Sequence, residues 1–159
     1  MFFRPHISSA ITIVVLLLVS GCSSKLDDGL IKQQVTGQVL VNGNPEKGIV
    51  VQFKHTDPQV TKNASRPIAV TDEQGRFRLS TNGEKDGAVA GTYLVSFFWP
   101  EGGNSTRDFF SGKYVKTSGS AYEVTIGETE IDIPPFELNA SPSAVEAAHK
   151  ALAPKRLQQ

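Results

Sequence analysis

The sequence predicts an all-β fold, an antiparallel β-sandwich of about seven short strands, on three observations. From Val35 onward apolar residues recur at every second position in short runs, the period of a strand with one face buried. Turn-forming stretches such as Asn42-Gly43-Asn44-Pro45 and Asp72-Glu73-Gln74-Gly75 separate those runs at regular spacing. The one stretch of helical composition, Ala144 to Leu152, is short and lies near the end.

The chain opens with a basic start, Arg4 and His6, followed by Ala10 to Val19, ten residues that are apolar apart from Thr12. A bilayer span takes about 20 residues, so residues 1–21 are predicted to be a cleaved export signal rather than a permanent anchor. Cys22, the single cysteine, follows at once in Val19-Ser20-Gly21-Cys22, with small residues where a signal peptidase needs them. That tetrapeptide resembles the lipobox of bacterial lipoproteins. The resemblance implies a diacylglycerol thioether on the Cys22 thiol, cleavage just before it, and a protein held to membrane lipid at the cell envelope. Several acyl chains suit an anchor, since each buried CH₂ contributes about 0.8 kcal/mol and a single chain holds only marginally. An ordinary secretory signal beside a free cysteine, or a buried first strand, is the alternative reading. Ser23 is not the aspartate that retains lipoproteins at the inner membrane in the best-known sorting system, and the choice of membrane stays open.

Removing residues 1–21 from the 159-residue chain leaves 138, enough for one domain with its own core. The signal takes Arg4 from 16 basic residues and nothing from 16 acidic ones, so the mature part carries a formal charge of −1. Such a balance gives no electrostatic footprint for nucleic acid. With Cys22 committed to lipid, no disulfide is available, and stability rests on packing.

Residues 22–34 read as a polar tether, punctuated by Asp27-Asp28-Gly29. The domain is predicted over 35–138. Val35, Gly37, Val39 and Val41 share one face of the first strand, and Asn42-Gly43 is predicted to fold it into a hairpin with a second strand carrying Ile49, Val51 and Phe53. Asp57 to Pro67 is polar and bounded by prolines, hence a loop. A third strand runs from Ile68 to Thr71, and after the Asp72–Gly75 turn a fourth points Phe77 and Leu79 inward and Arg76 and Arg78 outward. The loop Ser80 to Gly91 leads to Thr92–Trp99, the most hydrophobic strand. Tyr93, Val95, Phe97 and Trp99 share one face and Leu94, Ser96 and Phe98 the other, so the strand is predicted to be central and covered on both sides.

Pro100 closes that strand, and 101–119 form a long irregular connection. Tyr122, Val124 and Ile126 mark another strand, and Ile131 with Ile133 the last. Pro134-Pro135 removes two successive backbone donors, which predicts an edge strand or an interruption there. In the tail, 139–159, Ser143 and Glu146 have capping-box spacing before a marginal helix, and a frayed end is the alternative.

The stretches Val35-Thr36-Gly37-Gln38-Val39, Gly48-Ile49-Val50-Val51-Gln52-Phe53, Thr71-Asp72-Glu73-Gln74-Gly75-Arg76-Phe77 and Gly91-Thr92-Tyr93-Leu94-Val95 resemble the carboxypeptidase regulatory-like domain. The resemblance implies a transthyretin-like (prealbumin-like) sandwich, common in bacterial lipoproteins. Its motifs are turns and core positions, which specify fold rather than activity. Transthyretin-related hydroxyisourate hydrolases share that sandwich, but their terminal Tyr-Arg-Gly-Ser signature is absent, the chain ending Lys155-Arg156-Leu157-Gln158-Gln159. No His-x-x-Glu pair or Gly-x-Ser-x-Gly elbow is present, and no catalytic residue, metal ligand or cofactor is assigned. Asp72 and Glu73 supply too few oxygens for Ca²⁺, which takes about six to eight. Asn63-Ala64-Ser65 and Asn104-Ser105-Thr106 match the glycosylation sequon and read as polar loops.

The expected function is that of a noncatalytic, lipid-anchored envelope module, structural or adhesive. A second reading takes Trp99, Phe109, Phe110 and Tyr114, with the 101–119 loop, as a stacking surface for envelope carbohydrate or peptide.

Overall fold

A computed structural model describes residues 29–63, 66–102, 106–116 and 122–153. Lys32–Gln33 (β1) is followed by Val35–Val41 (β2), Asn44–Pro45 (β3), Val50–His55 (β4), the one-turn helix Pro58–Asn63 (α1), Ile68–Val70 (β5) and Arg76–Arg78 (β6). Ala88–Val89 (β7), Gly91–Phe98 (β8), Glu123–Ile126 (β9), Ile131–Leu138 (β10) and the helix Pro142–Leu152 (α2) complete the order.

Two four-stranded sheets face each other. One is ordered β5-β4-β8-β9 and is antiparallel throughout. The other is built on β2, which pairs with β10, β6 and, at its end, β3. β1 and β7 form a separate antiparallel pair. The architecture is the all-β sandwich that the alternation predicts, with one exception to its antiparallel character: β10 runs parallel to β2. β10 is an edge strand, and its register slips between Ile133 and Phe136, where Pro134-Pro135 withholds two N–H donors.

The inward faces are those the period of two specifies. Val35, Val39, Val41, Phe77 and Leu79 meet Ile49, Val51, Phe53, Tyr93, Val95 and Phe97, all buried. Rings cross-brace the two layers: Phe53 lies 6.4 Å from Phe77, and Phe97 lies 5.0 Å from Phe136, centroid to centroid. β8 is interior to its sheet, between β4 and β9. Its second face is only partly covered, however. Ser96 is buried, but Leu94 and Phe98 are half-buried because no further layer of the described residues packs on that side.

The predicted hairpin needs correction. Asn42 and Gly43 adopt φ of 52° and 80°, the left-handed pair of a tight turn, yet the returning strand is β3 alone. Past Pro45 the chain crosses to the other sheet, where β4 pairs with β5 and β8. Buried Thr71 fixes this crossing: its hydroxyl donates to the Glu46 carbonyl at 2.7 Å and accepts the Ile49 N–H at 3.0 Å. The predicted loop 57–67 also holds more structure than expected, because Asp57 accepts the Gln59 N–H at 2.8 Å and Pro58 opens α1. The turn after β5 is as predicted: Asp72 Oδ1 accepts from the N–H groups of Gln74 and Arg76, and Gly75 takes φ of 67°.

β2 fixes two poles. Near Val35 lie β1, β7, α1 and the β9–β10 turn. Near Val41 lie the 72–75 turn, the 100–116 connection and α2. Seven residues at about 3.3 Å each separate these poles.

Candidate functional site

Cys22 lies outside the described residues, as do Ala64, Ser65, Asn104 and Ser105 of the two sequons. At the pole near Val35 the described chain begins with Gly29. β1, in the last part of the stretch 22–34, pairs with β7, and Lys32 Nζ sits 2.9 Å from Asp86 Oδ2, with both side chains largely shielded from water. Asp86 also accepts the backbone N–H groups of Thr81 and Gly83 at 2.6 and 2.9 Å. Burial pushes the Asp86 carboxyl up, but these hydrogen bonds and Lys32 together outweigh it and hold it below 3.8. The Gln34 side-chain amide adds a bond to the Lys85 carbonyl at 3.1 Å.

The opposite pole carries the aromatic set. Trp99 is fully buried, and its indole N–H donates to the Lys47 carbonyl at 3.1 Å. Phe109 and Phe110 lie 5.6 and 5.4 Å from it, and Tyr114 stands edge-on to Phe110 at 5.1 Å. Tyr114 accepts the Asn139 N–H at 2.9 Å, and its own carbonyl accepts from Phe97 N–H, so the connection runs back beside β8. These are the four residues from which the sequence reading expects a stacking surface. A ligand needs an open ring face, and Trp99 and Phe110 are core residues with none to offer. Phe109 and Tyr114 are half-buried against the same core.

Asp108 organises the connection and was not singled out in the sequence. Its Oδ1 accepts from the N–H groups of Trp99 and Phe110 at 2.9 and 3.1 Å, and its Oδ2 from Gly112 at 2.9 Å. The available signal was an aspartate just ahead of a Phe-Phe-Ser-Gly turn.

The tail helix docks at this pole. Ser141, not Ser143, is its N-cap and accepts the Ala144 N–H at 3.2 Å. Ala148 is fully buried, and His149 Nε2 lies 2.8 and 2.9 Å from the two carboxylate oxygens of Glu46, itself only 7% exposed.

Asp72 spends its carboxylate on its own turn, and Glu73 pairs with Lys47 at 2.6 Å. Among the described residues no three metal-type side chains converge, and no helix is long and apolar enough to cross a membrane. Burial raises the Tyr93 phenol to about 12 while its hydroxyl donates to the Val89 carbonyl at 3.0 Å, a core tyrosine rather than a proton donor.

No family model matches the chain, and no curated protein matches it. Several solved structures do. A 9R-lipoxygenase from Cyanothece PCC8801 aligns at 18% identity and TM-score 0.39, over 70% of this chain and 17% of its own. A DUF3823 family protein from Parabacteroides merdae ATCC 43184 aligns at 11% identity and TM-score 0.38, over 71% of this chain and 47% of its own. The major plantain pollen allergen Pla l 1 aligns at 20% identity and TM-score 0.37, over 69% of this chain and 94% of its own. The chain thus spans less than half the length of the first two.

Proposed function

We propose that this protein is a lipid-anchored component of the bacterial cell envelope, a carboxypeptidase regulatory-like sandwich acting as a noncatalytic structural or adhesive module. The observation that carries the reading is Val19-Ser20-Gly21-Cys22 directly behind ten nearly uninterrupted apolar residues. The folded domain adds support. Six residues lie between Cys22 and Gly29, and the seven steps from one to the other span about 25 Å at full extension. Since β1 is pinned by Lys32 and Asp86, an acylated Cys22 holds the sandwich close to its bilayer. The pole bearing the 100–116 connection and α2 then points away from the lipid, toward envelope partners.

The test is fractionation of cells expressing the full chain or Cys22→Ser, with a radiolabelled lipid precursor supplied to both. The native chain incorporates label and sediments with membranes, whereas Cys22→Ser does neither. Label retained on Cys22→Ser, or a native chain recovered unlabelled, overturns the reading.

A further inference from the structure

We propose that the seam between the two sheets, where Val70 faces Arg78, is a binding site for an acidic saccharide. β5 and β6 are joined by the 72–75 turn, yet each belongs to a different sheet. Their seam is closed at one end by Ile68 and Ser80, which exchange N–H···O bonds of 2.9 Å in both directions. At the other end Asp72 N–H donates to the Arg76 carbonyl at 2.9 Å, and Asp72 Oδ1 accepts the Arg76 N–H at 2.9 Å.

Between these closures stands one open residue on each side. Pro67 bonds to Phe53 of β4 and Thr71 to Ile49 just ahead of it, while Gly75 and Leu79 bond to β2, so ladder alternation turns the backbone groups of Val70 and Arg78 away from both sheets and toward each other. Neither the outward N–H nor the outward carbonyl of either residue has a hydrogen-bond partner among the described residues. A cleft of about 750 Å³ opens there. Buried Ala69 and Phe77 contribute to its lining, and Ile68 and Val70, 42% and 59% exposed, add apolar surface.

The chemistry of the lining selects the occupant. Two donors and two acceptors held together match hydroxyl groups, each of which both gives and accepts a hydrogen bond. A peptide strand is excluded, because strand addition needs a run of unpaired residues and the seam is pinned two residues away on either side. Arg76, Arg78 and Lys85 line the cleft against Asp72 and Glu84. Asp72 is committed to its turn, Arg76 reaches Asp132 at 3.2 Å, and Lys85 lies 3.5 Å from Glu84. Arg78 has no ion pair among the described residues. The uncommitted charge is therefore a guanidinium, whose planar fork suits a sugar carboxylate, while Ile68 and Val70 meet the C–H face of a pyranose ring. No described residue of the 101–119 loop lines this cleft, and its occupancy does not depend on lipidation.

The test titrates the full-length protein in detergent micelles with tetragalacturonic acid and with its carboxyl-reduced neutral counterpart, following backbone amide resonances. The acidic tetramer is expected to shift the Val70 and Arg78 amides saturably and to bind about tenfold more tightly than the neutral one. Arg78→Gln loses that advantage, Arg78→Lys keeps most of it, and Lys116→Gln, at an exposed cation outside the cleft lining, leaves binding unchanged. The proposal is overturned by unmoved amides at Val70 and Arg78, by equal binding of the two tetramers, by indifference to Arg78→Gln, or by tighter binding of the acidic peptide Asp-Glu-Asp-Glu.

Discussion

Truncating Trp99 to alanine probes the assignment of the aromatic pole to the core. Trp99 is fully buried between Phe109 and Phe110, and its indole N–H serves the Lys47 carbonyl. Removing a buried Trp or Phe side chain costs about 3–5 kcal/mol through lost transfer energy and the cavity left behind. Stranding the Lys47 carbonyl places this site near the upper end of that range. Against a whole-domain stability of about 5–15 kcal/mol, Trp99→Ala consumes a large part of what holds the fold. Trp99→Phe keeps most of the ring packing and loses chiefly the hydrogen bond, so it costs about 1–2 kcal/mol. Urea unfolding followed by far-ultraviolet circular dichroism measures both, since the only tryptophan is gone from each variant. The alanine variant should lower the midpoint by more than about 1 M. A cost under about 1 kcal/mol, or native Trp99 emission as readily quenched by acrylamide as free indole, would refute the burial argument.

Three further outcomes follow from the same geometry. Asp86 has a folded pKa below its ordinary 3.8, so its stabilisation is present above that value and is lost as pH falls through the folded one. Acid should therefore release the β1–β7 pair, seen as faster amide exchange at Lys32 and Val89, and Asp86→Asn should show that fast exchange already at neutral pH. Tyr93, raised from 10.0 to about 12, stabilises fully below pH 10 and loses that contribution as pH rises through the folded value, so phenolate absorbance and unfolding should rise together in native protein. His149→Ala leaves the buried Glu46 carboxylate without its partner among the described residues and should cost about 1–3 kcal/mol in thermal melting, most of it recovered by adding Glu46→Ala.

Alternation made the inward faces of β2, β6 and β8 legible, because a strand with one buried face writes its orientation into its own residues. The Asp72–Gly75 turn and the proline interruption of β10 were legible for the same reason, each being a backbone constraint confined to a few neighbours. Strand partners were not. Asn42-Gly43 announces a reversal, but nothing near it says that the chain leaves β3 after two residues and joins the other sheet, or that β10 returns parallel to β2 from nearly a hundred residues away. The two-residue strands β1 and β7 are too short for a period to show. In the aromatic pole, composition revealed the rings and loop length suggested a surface. Orientation is set instead by Asp108 and by the Trp99–Lys47 bond, contacts between segments up to 52 residues apart. The seam at Val70 and Arg78 was equally hidden: the sequence marks Arg78 as outward but carries no sign that β5 and β6 part company between two closed ends.

The central claim is that the sandwich hangs from lipid on Cys22, and mass spectrometry of the N-terminal peptide from membrane-extracted protein tests it most directly. The account predicts a mature chain that starts at Cys22 and carries the mass of a diacylglycerol thioether, with or without a further acyl group on its amine. A chain that retains residues 1–21, or one cut near Cys22 with an unmodified thiol, would contradict it.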